Sequence, residues 1–246
     1  MNQDLALDRP VLVASHERSG THFLMNTLAM SFGFAREEHV PLDTATVNMN
    51  YHHPPSLAAF FRLNRDYERL WLRKSHHQFG FFDPCIKEIL EDVHILYIHR
   101  DPRDVAHSYR HFLNALDWPE GPKAEQASAF IRAAPEGRML RYQLHQLPDI
   151  LDRWREHVTG WCEAAARFEG IKVLRYEDLD QDYDATVEAL GAQMEWPRIG
   201  AERPEIDQNT IQKSARNDAS NHYSAEDLAY FRTRIGETMR RLGYEI

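Results

Sequence analysis

The chain is short of the features that mark several protein classes. It has two cysteines in 246 residues, Cys85 and Cys162, and their positions match no metal or redox spacing. The expectation is two reduced, buried thiols, as in cytoplasm. No run of about 18 apolar residues exists, so no segment is expected to span a membrane. The opening MNQDLALDRP has neither the basic start nor the apolar stretch of a signal peptide, so the expected location is again the cytoplasm. Glycine/serine-rich linkers, low-complexity tracts and internal repeats are missing, so residues 1–246 read as one domain. Basic residues are in deficit. The formal net charge is −9, which argues against nucleic acid or a polyanionic glycan as partner. An anionic ligand must then be held by a local cluster of donors.

What is present is an alternation of strand-like and helix-like segments. Pro10-Val11-Leu12-Val13-Ala14 reads as a buried strand, the turn His16-Glu17-Arg18-Ser19-Gly20 follows, and Thr21 to Phe34 shows helical spacing. Trp71 to His76 is a weaker strand. Asp83-Pro84 reads as an N-cap with proline at the first helical position, opening a helix to about Glu91. Val93–Ile98 is the strongest strand, and a helix leads away from Arg100-Asp101-Pro102-Arg103-Asp104. A long helix is expected over roughly 148–168, a strand over 172–176 and a helix over 183–193. Ser224-Ala225-Glu226-Asp227 resembles a capping box opening a last helix that stops at Gly243. The pattern predicts an α/β fold with a central, mostly parallel sheet flanked by helices. Ligands bind such sheets beyond the carboxyl ends of the strands, where the polar clusters fall.

Two clusters carry chemistry. In Ser15-His16-Glu17-Arg18-Ser19-Gly20-Thr21, a glycine-containing loop opens a helix and offers backbone N–H groups to an anion. Arg18 adds charge; Ser19 and Thr21 add hydroxyls. It is not a Walker A motif, because no Lys-Ser or Lys-Thr follows Gly20. In the second cluster, Arg100 ends a strand and Ser108 lies two turns into the next helix, so both can face one pocket. Arginine can grip a phosphate with paired hydrogen bonds. Tyr51-His52-His53-Pro54-Pro55 is a poor metal site, since no carboxylate lies nearby.

Together these clusters resemble the cytosolic-type sulfotransferase family, which uses the donor PAPS (3′-phosphoadenosine 5′-phosphosulfate) and releases PAP. The family signature Tyr-Pro-Lys-Ser-Gly-Thr-Thr-Trp is similar to His16-Glu17-Arg18-Ser19-Gly20-Thr21-His22-Phe23. Its 3′-phosphate signature matches Arg100, Asp104-Val105-Ala106 and Ser108-Tyr109. Lys74-Ser75-His76 looks like its Lys-Thr-His, Trp154, His157-Val158 and Trp161 resemble a family helix, and Tyr176-Glu177-Asp178 matches a strand end whose tyrosine contacts adenine. The resemblance implies a P-loop-like fold with a phosphosulfate loop after the first strand. It implies His76 as general base, Arg18 and Lys74 on the leaving phosphate oxygen, and Arg100 with Ser108 on the 3′-phosphate. Ser19, Gly20, Thr21, His22, Phe23 and Tyr176 complete the donor site; no metal is expected.

The departures are specific. Arg18 stands where the family has lysine, and Phe23 where it has tryptophan. The C-terminal Arg-Lys-Gly loop becomes Gln212-Lys213-Ser214, with Lys213 and Ser214 assigned to the donor, or else is deleted with Thr210-Ile211 at an earlier adenine contact. The family's dimerisation signature is not recognisable near residues 220–229. The acceptor is expected to be a small molecule, in a pocket from residues 36–70 and 114–147 carrying Tyr51, His52, Phe60, Phe61, Trp118 and Tyr142. Two other readings stay open on the residues. One is a P-loop-type nucleotide-dependent kinase, against which the missing Walker lysine counts. The other is a non-catalytic nucleotide-binding protein on the same fold.

Overall fold

The apolar run after Pro10 forms strand β1 (Val11–Ser15), and all five of its residues are buried. Such a run belongs in the interior of a parallel sheet, covered on both faces. The structure is a computed structural model that describes residues 8–41, 52–63, 65, 71–117, 119–205 and 222–245, with the backbone alone given for 36–41. β1 is the centre of a five-stranded sheet ordered β2-β3-β1-β4-β5, where β2 is Ala35–Pro41, β3 Trp71–Ser75, β4 His94–His99 and β5 Ile171–Arg175. Every pairing is parallel.

Helices fill both faces. They are α1 (Thr21–Phe32), α2 (Pro54–Leu63), α3 (Ile86–Asp92), α4 (Pro102–Asn114), α5 (Ala127–Arg132), α6 (Ile150–Arg167), α7 (Tyr176–Gln181), α8 (Tyr183–Met194) and α9 (Ala225–Arg241). Successive β1 side chains point to opposite faces. Leu12 and Ala14 join a core with Trp154 and Trp161 of α6. Val11 and Val13 join the other core, with Leu24 and Leu28 of α1 and Val187 of α8.

Local signals explain the helix starts that set the site. Asp101 caps α4 by accepting from the Arg103 N–H at 2.8 Å, with Pro102 at the first helical position. Asp149 caps α6 by accepting from the Asp152 N–H at 2.7 Å. The capping box at Ser224 and Asp227 is present in both directions.

Three expectations are corrected. The edge strand β2 begins at Ala35 and runs into the 36–70 segment, where no strand is expected from the sequence. Asp83 does not cap a helix: Asp83–Cys85 is a 3-10 turn without a side-chain cap, α3 begins at Ile86, and the Asp83 carboxylate pairs with Arg167 at 3.3 Å. Cys85 is buried as expected, whereas Cys162 is half-exposed; both are free thiols.

Candidate active site

The ends of β1, β3, β4 and β5 bring the polar clusters to one edge of the sheet. After β1 the chain turns with Arg18 at φ 67° and Gly20 at φ 96° before entering α1. Left-handed backbone is easy for glycine and uncommon for arginine. A Cβ on Gly20 would lie 2.3 Å from Tyr176 Cδ2, so the loop packs directly on that ring. Ser15 Oγ and Thr21 Oγ1, 2.6 Å apart, close the loop at its base. Ser19 Oγ is fully buried and has no hydrogen-bond partner among the described residues. A buried orphan hydroxyl is costly unless a ligand completes it, so the loop fits an anionic group.

Beneath the loop lies a buried ion pair that sequence reasoning missed. Arg153 of α6, 1% exposed, makes a fork of 2.7 and 2.8 Å with the Glu17 carboxylate. Tyr109 OH donates to Glu17 Oε1 at 2.9 Å, and Arg153 Nη1 donates to His16 Nε2 at 2.7 Å. Against the upward pull of burial, the Arg153 guanidinium holds the Glu17 carboxyl well below the usual carboxylate range. His16 Nδ1 donates to the Glu17 carbonyl at 2.9 Å, and burial keeps this imidazole neutral, down at about 4.

His76 follows β3. Its Nδ1 lies 2.9 Å from the Ser15 carbonyl, which can only accept, so Nδ1 carries the proton and Nε2 keeps the lone pair. Burial pushes His76 down to about 4; the Glu17 charge opposes the shift and Lys74 adds to it. The His76 carbonyl accepts from His157 Nε2 at 3.1 Å, and His157 Nδ1 in turn accepts from Tyr97 OH at 3.0 Å. His77 is 2% exposed and bonds Ser75 Oγ through Nδ1 at 3.0 Å. Tyr142 stands edge-on to both rings, 5.7 Å from His76 and 4.9 Å from His77. Lys74 Nζ donates to His22 Nε2 at 2.9 Å.

The second cluster meets the first. Arg18 Nε donates to Ser108 Oγ at 3.0 Å. Arg100 Nη2 donates to Asp104 Oδ2 at 3.1 Å, and its guanidinium lies 4.4 Å over the Tyr176 ring. Phe23 meets Tyr176 edge-on at 6.0 Å, and Arg203 covers Phe23 at 5.1 Å. Arg203, absent from the sequence reading, is tied to Asp180. Lys213 and Ser214 lie outside the described residues, as do Tyr51 and Trp118. Of the other acceptor-side residues, His52 faces Phe81 at 5.3 Å, while Phe61 is buried beneath Trp71 as core. Among the described residues no group of three or more His, Cys, Asp or Glu could hold a metal ion, and no helix is long and apolar enough to cross a membrane.

Known proteins share this fold. Mouse sulfotransferase SULT7A1 complexed with PAP superposes with a TM-score of 0.64 at 18% identity, covering 96% of this chain and 86% of that one. Retinol dehydratase in complex with retinol and PAP gives 0.58 at 16% identity, covering 97% and 83%. At these identities the likeness is one of fold. In sequence, a 3-alpha-hydroxysteroid sulfotransferase of Cavia porcellus is 31% identical over 96 residues, which is 39% of this chain and 29% of that protein's length. A family model described as "Sulfotransferase domain" matches residues 8–243, nearly the whole chain, and the chain therefore belongs to the sulfotransferase family.

Proposed function

We propose that the protein moves a sulfuryl group from PAPS to a hydroxyl of a small molecule and releases PAP. One observation carries this reading: His76, with its proton fixed on Nδ1 by the Ser15 carbonyl, stands beside a glycine loop built for an anion. His76 Nε2 accepts the acceptor's proton as its oxygen bonds to sulfur and the sulfur–oxygen bond to the phosphate breaks. Negative charge builds on the leaving phosphate oxygen. Lys74 and the loop N–H groups of Ser19, Gly20 and Thr21 meet that charge, with Arg18 adding positive charge from within the loop. Arg100 and Ser108 hold the 3′-phosphate; Phe23 and Tyr176 flank the adenine; His22 orients Lys74. The buried orphan hydroxyl of Ser19 supports this assignment.

An acceptor near Tyr142, His52 and Phe81 meets aromatic edges, which favours an apolar small molecule. The retinol dehydratase structures, which hold retinol or androsterone, agree with that class. Work in the cytoplasm suits the two free thiols.

Radiolabelled PAPS incubated with a panel of alcohols and phenols tests the reading. The wild-type protein should transfer label to at least one compound. His76→Ala should cut transfer by about 10²–10⁴-fold, while PAP affinity stays within about threefold. No transfer to any compound, or an active His76→Ala protein, refutes it.

A further inference from the structure

One stripe of α6 reaches the backbone on both sides of His76. Arg153, His157 and Trp161 recur at helical spacing, so they lie above one another on the same face. Trp161 Nε1 donates to the His77 carbonyl and His157 Nε2 to the His76 carbonyl, each at 3.1 Å. Arg153, one turn before His157, reaches the other partner of the His76 hydrogen bond. The Ser15 carbonyl that holds His76 Nδ1–H belongs to the peptide joining Ser15 to His16. Arg153 clamps the two residues beyond that carbonyl. Its Nη1 donates to His16 Nε2 at 2.7 Å, and its fork grips the Glu17 carboxylate. Its Nε donates to Gln143 Oε1 at 3.2 Å, next to Tyr142, whose ring stands edge-on to His76. The His16 ring packs edge-on against His157 at 5.4 Å. Both members of the ion pair are buried. Replacing such a pair by apolar side chains of similar volume is often neutral or stabilising, so stability alone does not account for it.

Resting on the reading of His76 as base, we infer that Arg153 is a positioning residue for the reaction: through His16 and Glu17 it aims the Ser15 carbonyl at His76 Nδ1, and so keeps the lone pair on Nε2. His157 holds the His76 backbone from the same stripe, so α6 fixes both partners of one hydrogen bond. Arg153 is itself buried beneath the loop, and its effect falls on turnover rather than on donor affinity.

The double variant Glu17→Gln/Arg153→Met removes the clamp and both charges together. NMR of protein carrying histidine enriched in heavy nitrogen reads which ring nitrogen holds the proton, and His76→Gln assigns the signal. Wild-type His76 should be a single tautomer protonated at Nδ1. In the folded double variant both tautomers should appear, kcat should fall by about 10–100-fold, on the scale of a misplaced reacting group, and the calorimetric PAP affinity should stay within about threefold. Arg153→Lys keeps a charge beside Glu17 and loses the planar fork; it should show a smaller change of the same kind. A wild-type tautomer, an unchanged kcat, or equal losses of kcat and PAP affinity in the double variant overturn the inference. If that variant does not fold, a wild-type tautomer or an unchanged kcat in Arg153→Lys overturns it equally. An active His76→Gln protein refutes the base reading itself, a separate outcome that needs no variant of Arg153.

Discussion

Proton position at His76 follows from one hydrogen bond. The Ser15 carbonyl fixes Nδ1–H, so the neutral ring presents a lone pair at Nε2 and needs no partner carboxylate to choose the tautomer. For His76 as the proposed base, its depressed value of about 4 has a kinetic consequence. The kcat/KM profile reports the free enzyme's essential groups. An unperturbed imidazole loses half its base form near 6.5, whereas His76 stays neutral there, so kcat/KM should be level between pH 7.5 and about 5.5. A fall centred near 6.5, measured at subsaturating acceptor, contradicts this assignment. The place of His76 just after β3 was legible in the sequence because Trp71 to His76 reads as a strand and its end. Glu17–Arg153 was not: 136 positions separate the partners, and no local pattern announces a pair made between a loop and the middle of a helix. Arg18's turn toward Ser108 was hidden for the same reason, since it joins two motifs that sequence could only treat separately.

At the level of elements, the interior strands and the long helices were readable because their burial is uniform or strongly periodic. β1 and β4 are apolar or buried along their whole length, and α4, α6 and α9 carry side-chain caps. β2 escaped because Ala-Arg-Glu-Glu-His-Val-Pro is an edge sequence, and its register with β3 shifts between Arg36 and Pro41. The short α7 starts at Tyr176 directly after β5, so its first residue read as a strand end. Asp83-Pro84 satisfied the cap rule, yet the carboxylate turned to Arg167 instead. α6 does more than pack. Through Arg153 and His157 it holds the loop after β1 and the carbonyl of His76 at once. Arg153→Ala strands the Glu17 carboxylate in the interior and should cost about 3–5 kcal/mol in denaturant unfolding. Pairing Arg153→Met with Glu17→Gln removes both charges and should restore most of that loss. If the double variant is as unstable as the single one, the pair's packing matters more than its charge.

For the molecule as a whole, buried imidazoles set the acid limit of stability. His16, His77, His99 and His157 are each 5% exposed or less. Burial lowers all four, His16 and His99 to about 4 and the other two well below their ordinary value. Below about 6.5 the unfolded chain binds protons that the folded one refuses, so stability is intact above that pH and falls as the pH drops toward 4. Each ring contributes up to about 1.4 kcal/mol per pH unit in this window. The melting temperature should therefore be several degrees lower at pH 5 than at pH 7.5; equal values contradict the neutral-histidine core. The sheet order has a further consequence, for how the protein is made. β1 is the central strand, yet its neighbours arrive late: Val11 pairs with Leu72 on one side and with His94 on the other. At translation rates of about 5–20 residues per second, β4 is complete roughly 4–17 s after β1. For that interval an apolar strand with both edges open leaves the ribosome without its partners, a template for aggregation. Faster synthesis shortens that exposure, and slower synthesis before residue 99 lengthens it.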